Sequence, residues 1–237
     1  AINDGVDVVI KVDGDGQIDP MLIEEFMHAM KNSGADYIKG NRFYDIESIK
    51  QMPFIRIVGN SILTLVTRFS SGYWNISDPT NGFTGINKDA LVKLKLEKVS
   101  NGYFFESDML FRLNIDQRYV VDYPMLAIYQ DENSNFSLIK NSPIFAYKNL
   151  KNYFKRIVYN YYLRDFSVAS IELPVGMLLL CFGVTFGLFK WILNSSSNEL
   201  TSAGTVMLSA LPIIIGFQLI LNFLSIDISS TPKRRLF

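Results

Sequence analysis

Two stretches near the carboxyl end carry no charge: Leu173 to Phe189, 17 residues, and Ala203 to Ile226, 24 residues. As helices, both match the span that crosses the hydrocarbon core of a bilayer, roughly 17 to 25 residues. Backbone that meets lipid must satisfy its own hydrogen bonds, so such segments are committed to helix. Lys190 and Trp191 follow the first stretch, where a snorkelling cation and an amphipathic ring suit the interface. The connector Asn194 to Ser202 holds no Lys or Arg, whereas basic residues precede the first stretch and recur at Lys233, Arg234 and Arg235. The positive-inside rule therefore places both termini and the preceding domain in the cytoplasm, in a multi-pass protein of the cell membrane. The alternative is a pair of buried helices in a large soluble protein. The length of the second stretch and the charge asymmetry argue against it.

Overall charge is balanced, with 23 basic and 23 acidic side chains, so bulk electrostatics do not point to nucleic acid. The balance hides a local excess. Between Lys140 and Phe166 stand Lys140, Lys148, Lys151, Lys155, Arg156 and Arg164 against Asp165 alone. Over Pro143 to Phe166 these cations alternate with aromatics, as in helices that lie on anionic membrane surfaces. Recognition of a lipid phosphate and simple anchoring both fit. The single cysteine, Cys181, lies inside the first apolar stretch and reads as a small hydrophobe. His28 is the only histidine and reads as an ordinary helix residue.

The amino-terminal half alternates strand and helix signals. Val6 to Val12 is a mostly apolar, β-branched run, as in a buried strand. Asp19 can cap a helix with Pro20 at its first position. Leu22, Ile23, Phe26, Met27 and Met30 then follow at helical spacing, Gly34 ends the helix, and Asp36 to Gly40 reads as a short strand. Pro53 to Phe69 predicts a helix, Ser77 to Gly85 a turn-rich loop, and Lys88 to Leu94 a short helix. Tyr119 to Tyr129 is strand-like, interrupted by Pro124. This rhythm implies an α/β domain with a parallel sheet, whose ligands gather at the carboxyl ends of the strands.

Asp13-Gly14-Asp15-Gly16-Gln17 lies at such an end. Two carboxylates one residue apart on a glycine-loosened turn suit Mg²⁺ or Mn²⁺, which keep some water and accept phosphate oxygens. A calcium loop fails because Ile18 stands where glycine is required and Pro20 starts a helix inside the loop. A solvated acidic turn is the other reading. Arg42, after a strand, could face a phosphate with its donor fork or be a surface arginine. Asp78, in Asp78-Pro79-Thr80-Asn81-Gly82-Phe83, could be a general base or simply form an Asx-type turn. Glu106 and Asp108 are acids within the apolar Tyr103 to Leu113, either used there or on an exposed helix face. Asp131-Glu132-Asn133-Ser134 reads as a lid or a polar loop.

In this order, DGDGQIDP (Asp13 to Pro20), GNRF (Gly40 to Phe43), DPTNGF (Asp78 to Phe83), YFFESDML (Tyr103 to Leu110), YQDENSN (Tyr129 to Asn135) and a two-helix tail resemble family 2 glycosyltransferases. The closest likeness is to the membrane-bound polyprenyl-phosphate enzymes similar to dolichol-phosphate mannose synthase. The resemblance implies a GT-A-like domain with a Rossmann-like, mostly parallel sheet over 1–142. A basic, aromatic juxtamembrane segment follows over 143–170, then a transmembrane hairpin over 171–230, with helices at about 172–192 and 203–226. It implies inverting, metal-dependent transfer of a sugar from a nucleotide sugar to a polyprenyl phosphate. Asp13 and Asp15 would hold Mg²⁺ or Mn²⁺. Gln17, Arg42, Asp131, Glu132 and Ser134 would contact the donor or its phosphates. Asp78, or alternatively Asp108, would be the acceptor-side acid. A homo-oligomer is compatible with such a chain. The family's opening strand and its Pro-x-x-Asn-Glu-like segment do not precede Ala1, so the expectation is a fragment of a longer protein. The rival readings are a same-fold transferase acting on a glycolipid or polysaccharide, and a non-catalytic membrane scaffold.

Overall fold

The computed structural model describes residues 5–14, 16, 18–44, 49, 50, 52, 54–126, 138–196 and 200–234. Two compact units emerge, residues 1–157 with 231–237, and residues 158–230.

In the first unit, strands β1 (Val8–Lys11), β2 (Tyr37–Asn41), β3 (Thr84–Asn87) and β4 (Val120–Pro124) form one sheet in the order β1-β3-β2-β4. β3 runs antiparallel to both β1 and β2, and β2 pairs parallel with β4. The sheet is therefore mixed: β1, β2 and β4 share a direction and β3 alone is reversed. The expectation of parallel strands holds for those three and misses β3, which lies inside a stretch read from sequence as loop running into short helix. Four residues of Thr-Gly-Ile-Asn carry too little periodicity to announce a strand.

Helices α1 (Leu22–Ser33), α2 (Phe54–Ser71), α3 (Lys88–Lys93), α4 (Phe105–Ile115) and α5 (Leu138–Val158) surround the sheet. Side chains alternate across a strand, and the two faces pack separately. Tyr37, Ile86 and Val120 join Tyr73, Leu110 and Leu113 on one side. Ile38, Phe83 and Met125 join Phe26 and Met30 of α1 on the other. α1 begins two residues later than the Asp19-Pro20 pair suggests. The Asp19 carboxylate accepts from the Met21 amide at 2.9 Å, so it caps the turn that leads into the helix. Gly34 ends α1 at a φ of 66°, the left-handed conformation that glycine adopts without strain. His28 lies on the surface of α1, 3.9 Å from Glu24.

The second unit is a hairpin of α6 (Val168–Ser196) and α7 (Ala203–Ser229). At 29 and 27 residues, both are long and apolar enough to cross a bilayer. Small residues set their closeness. A Cβ on Gly183 would lie 2.7 Å from the Ser209 carbonyl, and one on Gly216 would lie 2.7 Å from the Gly176 carbonyl. Ser209 Oγ donates to the Gly183 carbonyl at 2.8 Å. This is how membrane helices associate when burial of apolar surface no longer drives them. Glu172 of α6 is buried and accepts from Asn222 of α7 at 2.6 Å, and Asp227 accepts from the Tyr161 hydroxyl at 2.7 Å.

Candidate active site

The register aligns Lys11 of β1 with Thr84 of β3, Thr84 with Lys39 of β2, and Lys39 with Asp122 of β4. These four lie on the face that carries Val9, Ile86, Tyr37 and Val120 one step earlier. The face is thus apolar at one end and charged at the carboxyl ends of β1, β2 and β4, where ligands of such sheets bind.

Asp13 follows directly. The Lys11 ammonium donates to Asp13 Oδ1 at 2.6 Å and to Glu106 Oε1 at 2.9 Å, and lies 3.4 Å from the Gly82 carbonyl. Burial pulls the Lys11 pKa down, but the hydrogen bonds to the two carboxylates outweigh it and raise the value. Glu106 comes from the first turn of α4 and is nearly buried, with 12% of its side chain exposed. The Asp13 carboxylate lies flat against Gly82: a Cβ there would sit 1.7 Å from Asp13 Oδ2. Gly82 is thus required by contact.

The loop from Ser77 to Phe83 is tied down at every step. Asp78 is fully buried, and Arg42 grips it through Nε at 2.7 Å and a terminal nitrogen at 3.1 Å. Thr80 Oγ1 donates to the same carboxylate at 3.3 Å. Asn81 donates from Nδ2 to the Gly40 carbonyl at 2.9 Å, while its own carbonyl accepts from the Lys39 ammonium. The Ser77 amide donates to Asp122 Oδ2 at 2.8 Å. Both lysines therefore reach the same loop, Lys39 at the carbonyl of residue 81 and Lys11 beside that of residue 82. Burial lowers the Lys39 pKa to about 8, against the pull of Glu106 and Asp78. Burial likewise raises Asp122 to about 6, against its bond from Ser77.

The expected site residues thus separate into three groups. Asp13, Asp78 and Arg42 come together around the 77–83 loop, with Arg42 directed at Asp78. Asp108 stands apart. Two positions on from Glu106, it points to another side of α4. There it accepts from the Ser100 amide at 2.8 Å, Arg112 at 3.0 Å and Asn152 at 3.0 Å. Asp15, Gln17, Asp131, Glu132 and Ser134 lie outside the described residues. Lys11, Lys39 and Asp122 were not expected in the site. Their signal was an ionisable side chain at an inward position of a short, otherwise apolar strand, legible only once the facing is known. Glu106 carried its signal openly, as an acid in an apolar segment.

Residues 5–95 match the model of the glycosyl transferase family 2 domain. The chain is 27% identical over 127 residues to a UDP-N-acetylglucosamine–dolichyl-phosphate N-acetylglucosaminyltransferase of Methanococcus voltae, covering 54% of this chain and 50% of that protein. It is 29% identical over 122 residues to a polyprenol monophosphomannose synthase of Mycolicibacterium smegmatis, covering 51% and 45%. It is 27% identical over 128 residues to an undecaprenyl-phosphate mannosyltransferase of Micrococcus luteus, covering 54% and 51%. The chain spans about half the length of these relatives.

Proposed function

The chain carries a glycosyltransferase family 2 domain, and from this premise we propose that it moves a sugar from a nucleotide sugar to a polyprenyl phosphate at the cytoplasmic face of a membrane. The observation that carries the reading is the Asp13 carboxylate at the carboxyl end of β1, closed against Gly82 and bonded to Lys11, which also holds Glu106. The names of the relatives, each joining a sugar to a lipid of the polyprenyl type, support the choice of acceptor.

Asp13 and Asp15 suit Mg²⁺ or Mn²⁺. Among the described residues no group of three or more His, Cys, Asp and Glu side chains could hold a metal. That fits an ion that keeps its waters and takes other oxygens from a substrate diphosphate. When bound, such an ion would stabilise the charge that develops on the departing diphosphate. Lys11 places a second positive charge beside Asp13, and Gly82 leaves the carboxylate its room. An oxygen of the acceptor phosphate bonds to the anomeric carbon as the bond from that carbon to the diphosphate breaks. The electron pair leaves with the nucleoside diphosphate, and the anomeric configuration inverts. The phosphate is already ionised at neutral pH, so the step needs no strong base. Asp78 then acts as the anchor of its loop, together with Arg42, and Asp108 as the anchor of the segment before α4. Gln17, Asp131, Glu132 and Ser134 remain the proposed contacts to the donor.

The test incubates the full chain with labelled nucleotide sugars, a polyprenyl phosphate and Mn²⁺ or Mg²⁺. Label is expected in the lipid, and Asp13→Ala or Asp15→Ala should each lower it by about 10²- to 10³-fold. Undiminished transfer by both variants would remove the metal role. Label in a glycolipid or polysaccharide alone would replace the acceptor, and no transfer to any acceptor would favour a scaffold.

A further inference from the structure

Helices α2 and α5 are amphipathic the wrong way round for a protein bathed in water. A surface helix normally turns its apolar stripe to the core and its polar side chains outward. Along its second half α2 turns Thr67, Ser70 and Ser71 inward, each 1% exposed. Its outward stripe is Ile55, Val58, Ile62 and Leu65, at steps of three, four and three, with Phe54 beside it and 79% exposed. α5 repeats the inversion. Asn149, Asn152 and Arg156 are buried, while Ile144, Tyr147, Leu150 and Phe154 are each more than half exposed. The inward groups hold the two helices together. Arg156 donates to the Phe69 carbonyl at 2.8 Å, and Ser70 hydrogen-bonds Asn149.

Charge points to what covers the outward faces. α2 and α5 together contain seven Lys or Arg residues, Arg56, Arg68, Lys140, Lys148, Lys151, Lys155 and Arg156, and no Asp or Glu, in a chain whose net charge is zero. Apolar stripes on helices stripped of acids match the boundary between anionic head groups and acyl chains, where each basic residue contributes about 1 kcal/mol. A protein partner with an apolar face would not by itself require this one-sided charge. Continuity of the chain adds to the case: α5 ends at Val158, and α6, long and apolar enough to span a bilayer, begins at Val168.

We propose that the outward faces of α2 and α5 lie in the head-group boundary of an anionic bilayer, so that the first unit docks on lipid through two helices as well as being tethered by the hairpin. α2 is the new element of this surface, because its sequence reads as an ordinary core-facing helix. The inference rests on the hairpin being inserted in a membrane and is independent of the transferase reading.

The test uses the full chain reconstituted in vesicles of mixed phosphatidylglycerol and phosphatidylcholine. Ile62→Cys and Tyr147→Cys, each made in a Cys181→Ala background, carry an environment-sensitive fluorophore. The natural Cys181, exposed on α6, carries it in a control that reports insertion of the hairpin. Lipids bearing a shallow nitroxide should quench positions 62 and 147 several-fold more than an aqueous quencher does. In vesicles of phosphatidylcholine alone, that quenching should fall by about twofold or more. Quenching from the aqueous side alone, with Cys181 still quenched by deep nitroxide lipid, would overturn the proposal and leave the hairpin intact. Shielding from both quenchers would overturn it in favour of a second copy or a protein partner. Lipid quenching that is the same in both vesicle types would overturn the commitment to an anionic surface.

Discussion

Gly82 and Asp13 show how one hydrogen atom in place of a methyl can determine a site. With a Cβ 1.7 Å from Asp13 Oδ2, Gly82→Ala must displace either the loop or the carboxylate. We expect a loss of transfer of about 10²-fold, since displacements of an ångström cost that much. The accompanying loss of stability should be about 1 to 3 kcal/mol. Activity and chemical denaturation measured on the same preparation would check this, and an equal loss from Gly14→Ala, which meets open space, would refute the contact argument. Asp78 makes the opposite case. Both of its oxygens are held by Arg42 inside the protein. Removing one partner of a buried pair leaves an uncompensated charge, so Asp78→Ala should cost about 3 to 5 kcal/mol by denaturant titration. Full stability with lost activity would instead restore Asp78 as an acceptor-side acid.

Elements decide which of these residues meet. Period-two alternation in β1, β2 and β4 puts Lys11, Lys39 and Asp122 on the face of Val9, Tyr37 and Val120. The three-residue step between Asp78 and Asn81 lets one loop reach Arg42, Gly40 and Lys39 together. On α4, Glu106 faces Lys11 and Asp108 faces Arg112, because two residues along a helix turn the side chain by about 200°. In the hairpin, the seven-residue spacing of Gly176 and Gly183 meets that of Ser209 and Gly216. Gly183→Leu should force the helices apart at the point where Ser209 now bonds. We expect a lower midpoint in an SDS titration of the purified chain, with a loss of about 1 to 3 kcal/mol. Gly204→Leu, at a position without close neighbours other than Ser202, should leave the midpoint in place.

At the scale of the whole molecule, the charged row is assembled from β1, β2, β4, α4 and the 77–83 loop, and its ionisation should shape the pH profile. Asp122 is raised to about 6 and Lys39 lowered to about 8, so both carry charge only between those values. Transfer should follow a bell with limbs near 6 and 8, measured as initial rate against pH. Asp122→Asn should remove the acid limb and Lys39→Met the alkaline one; a flat profile in the wild type would exclude both roles. Stability runs the other way. The Asp122 contribution is fully present below its ordinary value of 3.8 and lost as pH rises through about 6. The Lys39 contribution is fully present above its ordinary value of 10.5 and lost as pH falls through about 8. The two buried charges therefore weaken the fold in the window where the site is complete. Much of this protein was determined by local sequence. Charge-free stretches of 17 and 24 residues dictate membrane-length helices, a β-branched run ending in Asp-Gly-Asp dictates a strand end with carboxylates, and Gly34 dictates a helix stop. These follow from short-range sterics and from hydrophobic period, which few neighbours can override. Only the tertiary structure decided that β3 runs against its neighbours, that Lys11 and Lys39 serve one loop, that Arg42 spends its donors on Asp78, and that α2 turns its apolar stripe outward. Each of these depends on which residues, tens of positions apart, arrive at the same place, and pairing across that distance leaves no periodic trace in a single chain.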